Sequence, residues 1–167
     1  MSLPPRLLER LRRRAESGGH RGATPAELRA LERDLGFALH PAHAAVLRVA
    51  GDGEFGPGCG LLSVAHGVSP LWRRLALPPG LAPFCDWGCG VWSCVESRSG
   101  DVITCSDQGL HRTPWTLERL LEQWLDGVDV GAQLLEPGEA RTFIDPFTRT
   151  PRTVRGVGPA IGEPYEA

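Results

Sequence analysis

The chain has 167 residues, of which 41% are hydrophobic and 23% charged, the composition of one ordinary soluble globular domain that needs no metal or disulfide staple to fold. All 18 basic residues are Arg, and neither Lys nor Asn occurs, which excludes P-loop, Schiff-base and kinase-type lysine chemistry and N-glycosylation. The net charge of −2 is unevenly spread: residues 1–33 carry +4, residues 34–140 carry −7 and residues 141–167 carry +1, so the body is acidic, repels nucleic acid and favours a basic partner.

Residues 5–17 read as a helix, with Leu7, Leu8 and Leu11 on one side, arginines around the rest and Gly18-Gly19 as the stop. A second helix starts at Thr24, where Pro25 and Glu27 complete a capping box, and its Leu28, Leu31 and Leu35 stripe ends near Gly36. Pro41 opens a third, with Ala42, Ala45, Val46 and Val49 at helical spacing and Gly51 as its end. Five Gly and one Pro in residues 51–60 demand a loop. A short strand follows at Leu61–Val64, then a Pro-rich connection over 66–83 with a turn of helix around Leu71–Leu75. Val91–Glu96 and Val102–Cys105 form a hairpin. Leu117, Leu120, Leu121, Trp124 and Leu125 mark an amphipathic helix with Thr116 as cap and Gly127 just past its end. Residues 136–167 read as an extended, Pro/Gly-rich tail with one short hairpin. Helices, then a hairpin-rich antiparallel sheet, then a packing helix is the order of a single α+β domain with about four helices.

No run of apolar residues is long enough to span a membrane, and no apolar leader precedes the chain, so a cytoplasmic protein with reduced thiols is expected. Gly51-Asp52-Gly53-Glu54-Phe55-Gly56 matches G-x-G-x-x-G, but it follows a helix and places two carboxylates where a pyrophosphate would lie, so it reads as a plain loop. The five cysteines, at 59, 85, 89, 94 and 105, include no C-x2-C pair. They read as small buried hydrophobes rather than zinc ligands, and no metal or cofactor is expected. His40 and His43 share a helix face without a third ligand and read as surface histidines. No nucleophile elbow or Cys-His-Asn arrangement exists, so no catalytic residues are assigned.

A partner surface is the remaining candidate. Glu118, Glu122 and Asp126 lie at i, i+4, i+8, where each like-charged neighbour costs about 0.2–0.5 kcal/mol, and Asp126 meets an unfavourable helix dipole. A basic partner would make use of such a stripe. A second patch comprises Asp52 and Glu54 together with Asp86 and Trp87, acids and an aromatic beside glycines.

The pattern Leu28-x2-Leu31-Glu32-x2-Leu35-Gly36, Leu39-His40-Pro41 and Gly51-Asp52-Gly53 leading to Leu61-Leu62 resembles the SUKH superfamily, which holds bacterial immunity proteins and fungal cell-wall-synthesis regulators. Asp86-Trp87-Gly88-Cys89, Trp92-Ser93-Cys94-Val95 and Trp124-Leu125-Asp126-Gly127 look like segments of a bacterial branch. His40 interrupts the usual Leu-Pro, and the usual Asn of the following loop is replaced. The resemblance covers about residues 20–135, leaving a basic helix at 1–19 and the extension at 136–167 outside it. It implies an antiparallel sheet packed by helices, no catalytic residues, and action by binding, as in neutralisation of a co-encoded toxin. The expected partner is therefore a protein, in that reading a cognate toxin such as a basic nuclease, with no nucleic acid or membrane. A scaffold for a host protein is the alternative, and a small metal-dependent enzyme using Cys and His the third reading.

Overall fold

Three helices open the chain, and their ends follow from local chemistry. In the computed structural model, which describes residues 2–88, 90–107, 109–144, 151–159 and 164–165, α1 (Pro5–Ser17) begins on a proline and buries Leu7, Leu11 and Ala15. That i, i+4, i+8 stripe is the apolar side of an otherwise arginine-covered helix. The capping box of α2 (Pro25–Leu35) forms as its residue types require: Thr24 Oγ1 accepts from Glu27 N at 3.2 Å, and Glu27 Oε2 accepts from Thr24 N at 2.7 Å. A hydrogen bond from Arg21, followed by those from Thr24, holds the Glu27 carboxyl down to a pKa of about 2. Gly36, at φ 78°, closes the helix in the left-handed region that glycine tolerates. The third helix, α3 (Pro41–Leu47), ends at Leu47, one turn short of Gly51.

The sheet is an antiparallel meander in chain order: β1 (Gly60–Leu61), β2 (Leu81–Gly88), β3 (Val91–Glu96), β4 (Asp101–Ser106) and β5 (Gly109–Thr116). The β3–β4 hairpin pairs Trp92 with Cys105 and Val95 with Val102. Helix α4 (Val68–Arg74) fills the connection before β2, and α5 (Leu117–Leu125) follows β5, capped by Thr116 Oγ1 accepting from Arg119 N at 3.3 Å. After α6 (Val130–Leu134), β6 (Leu135–Ile144) and β7 (Pro151–Pro159) pair as a separate two-stranded sheet. The expected tail hairpin is thus a long one. Five antiparallel strands with helices packed on them make an α+β domain.

Alternation along the strands sends side chains to two layers. On one, Val95 and Val102 meet Leu11, Val46 and Leu120 from α1, α3 and α5, so α1 belongs to the same core as the body. On the other, Leu81, Cys94, Ile103 and Cys105 pack with Trp72 and Leu77. Burial pushes the Cys85, Cys94 and Cys105 thiols up in pKa, as expected of thiols that pack as small apolar groups. Cys89 lies outside the described residues.

The two helix-start histidines are not on the surface, which corrects the expectation. His40 is 6% and His43 1% exposed. His40 caps α3 by accepting from Ala42 N through Nδ1 at 3.3 Å. His43 lies edge-on to Phe84 with centroids 5.3 Å apart, and neither ring nitrogen has a hydrogen-bond partner among the described residues.

Candidate protein-interaction surface

The glycine-rich segment 51–60 is a loop with fixed geometry. Gly51 N donates to Arg21 O, Val64 N to Gly51 O, Glu54 N to Leu61 O and Leu61 N to Phe55 O, at 2.7–3.0 Å. A Cβ on Gly60 would come within 2.6 Å of the Glu54 backbone, so only glycine permits this crossing. Phe55 is buried and meets Trp124 of α5 edge-on at 5.2 Å and His20 at 5.3 Å. Through Phe55 the loop docks on α5, leaving Glu54 exposed at φ 61°, a left-handed value unusual for a side-chain-bearing residue.

The other acid of this loop, Asp52, is exposed but paired. Asp52 Oδ2 accepts from Arg21 N at 2.8 Å, and its Oδ1 lies 3.3 Å from His20 Nδ1. Its carboxylate therefore ties the loop to the link between α1 and α2.

Asp86 and Trp87 separate from the rest. Asp86 Oδ1 accepts from Gly88 N at 2.7 Å, and the residue lines a cavity of about 210 Å³ with His66, Leu71, Arg74 and Trp92, on the α4 side of the sheet. Trp87 is 8% exposed, and its indole N–H donates to Ser93 Oγ at 2.7 Å. Its place in the partner surface is therefore corrected: Trp87 is a core residue, buried with its polar atom satisfied, which is what a large aromatic needs inside a fold.

On α5, Leu117, Leu120 and Leu121 are buried and anchor the helix. Asp126, its C-cap, accepts a 2.7 Å hydrogen bond from Arg10 Nη2 of α1, and Arg14 of α1 lies over the Trp124 ring at 5.2 Å. The basic helix is thus seated beside the acidic one and neutralises its last carboxylate. Glu118 is half-buried, Glu122 is exposed, and among the described residues neither has an ion-pair partner.

Of the seven residues singled out from the sequence, Glu54 and Glu122 are exposed and Glu118 half-buried, Asp52 and Asp126 are tied to the N-terminal region, Asp86 faces elsewhere and Trp87 lies in the core. The ties from α1 went unread because Arg10 and Asp126 are 116 positions apart, and no local spacing signals such a pair. Among the described residues no group of three or more His, Cys, Asp or Glu side chains is placed to hold a metal ion, and no helix is long and apolar enough to cross a membrane. Comparison with known protein families finds none that matches this chain, and no curated protein matches it either.

Proposed function

We propose that the protein acts by binding, as a bacterial immunity-type protein of the SUKH kind that occludes the basic surface of a co-encoded toxin. The observation that carries this reading is the pair Glu118 and Glu122. Two carboxylates one turn apart on a helix locked by Leu117, Leu120 and Leu121 stand without ion pairs among the described residues. Such a pair costs the helix about 0.2–0.5 kcal/mol, and a cationic partner turns that cost into attraction, chiefly by raising the rate of encounter. The fixed loop bearing Glu54 adds a rigid acidic neighbour of α5 and loses little entropy on binding. The antiparallel sheet with packed helices agrees with the architecture that the SUKH resemblance implies.

The test is to look for a gene for a basic toxin domain beside this one and to co-express the two products; absence of such a gene counts against the reading. Rescue of growth and a stable complex support the reading. A basic toxin domain that neither binds nor is neutralised overturns it.

A further inference from the structure

β5 ends the meander, so one of its edges has no strand partner within the five-stranded sheet. Such an edge is a row of backbone donors and acceptors ready to pair with another segment. Here the chain's own residues occupy it: His111 bridges to Pro164, and Tyr165 N donates to Leu110 O at 3.0 Å. The Tyr165 side chain fills a built seat. Its hydroxyl donates to Glu96 Oε1 at 3.0 Å, and the Arg112 guanidinium lies 4.9 Å from the ring centroid. Arg112 is in turn steadied by Asp101, 3.6 Å away, and the ring packs on the apolar cluster that includes Leu110.

Backbone, hydroxyl and ring face are therefore each recognised by a different group, contributed by β3 and β5, with Asp101 of β4 behind Arg112. Tyr165 is also the one tyrosine of the sequence. We propose that the β5 edge is a peptide-docking site for an extended segment carrying a tyrosine, which adds by strand pairing, and that Pro164–Tyr165 is its tethered occupant. Strand addition supplies affinity through the main chain, and a side-chain seat supplies specificity. Pro164 has no N–H to give to a ladder, so at that position a segment bearing an N–H can pair where the resident one does not. A tethered occupant competes at an effective concentration on the order of millimolar, so vacating the seat strengthens binding of a free peptide. This inference does not rest on the acidic face of α5, which lies on another element.

The test is fluorescence anisotropy of a labelled peptide of residues 161–167 titrated with three proteins: the intact chain, a chain lacking residues 160–167, and full-length Tyr165→Ala. Both vacated forms should bind the peptide at least about tenfold more tightly than the intact chain. Adding Arg112→Ala to Tyr165→Ala should weaken binding about tenfold, as should alanine in place of tyrosine in the peptide. Circular dichroism checks folding, and if the deletion does not fold, Tyr165→Ala carries the test. Absence of saturable binding to a folded, vacated form, or binding indifferent to Arg112 and to the peptide tyrosine, overturns the proposal.

Discussion

Arg10 Nη2 donates to Asp126 Oδ1 at 2.7 Å, joining the basic first helix to the last turn of the acidic fifth helix. Both side chains are substantially solvent-exposed, 38% and 54%, so the pair contributes little stability, about 0–1 kcal/mol. Its consequence is for the surface. Arg10→Ala leaves the urea midpoint nearly unchanged and exposes a third carboxylate on α5, so association with a basic partner becomes faster and more salt-dependent. Stopped-flow rates at two ionic strengths measure this.

Leu11 separates an appended helix from an integral one. It is fully buried against the body of the fold, and Leu11→Ala removes that packing and leaves a cavity, at a cost of about 3 kcal/mol. Arg12→Ala on the exposed side costs under about 0.5 kcal/mol. Urea unfolding of the two variants should show that contrast.

His43 makes the fold sensitive to acid. Burial, with a smaller contribution from His40, pushes its pKa from 6.5 down to about 3. Because the folded value lies below the unfolded one, the unfolded chain binds the extra proton between pH 6.5 and 3. Stability is therefore complete above pH 6.5 and falls as the pH drops toward 3, by up to about 1.4 kcal/mol per unit for this one group. Urea midpoints at pH 4.5, 5.5 and 7.5 should decline steeply for the native chain and less steeply for His43→Leu.

Ser93 supports Trp87 and not the partner surface. Ser93→Ala leaves the buried indole N–H without its acceptor, which costs about 1–3 kcal/mol in unfolding free energy. Binding of a partner per folded molecule is unaffected, because Trp87 is enclosed. Parallel denaturation and binding titrations distinguish the two effects.

The helices were readable where the residues carry their own punctuation: Thr24-Pro25 with Glu27, Thr116, Gly36 and the leucine stripes. β2 was hidden by Pro83 and by register shifts at Pro83/Cys85 and Asp86/Gly88. Pro83 is tolerated because β1 pairs only with Cys85 and Asp86, so its missing N–H leaves no gap in the ladder. β5 was hidden because, as an edge strand, it buries only Trp115 and lacks an apolar signature. His40 and His43 look like surface residues by composition, and only the packing of α3 on Phe84 puts His43 inside. At the site, the stripe of Glu118 and Glu122 follows from helical period alone. That Asp126 and Asp52 are tied to the N-terminal region does not, because a charge tally by segment carries no information about which segments touch.

The proposed binding role requires that α5 present its acids to a basic protein. The most direct measurement is the affinity and association rate of the chain for a basic toxin domain found encoded beside it, as a function of salt, for the native protein and for Glu118→Arg/Glu122→Arg. That role predicts a loss of at least about tenfold in affinity and a flattened salt dependence for the variant. Unchanged affinity and unchanged salt dependence in a folded variant would contradict it.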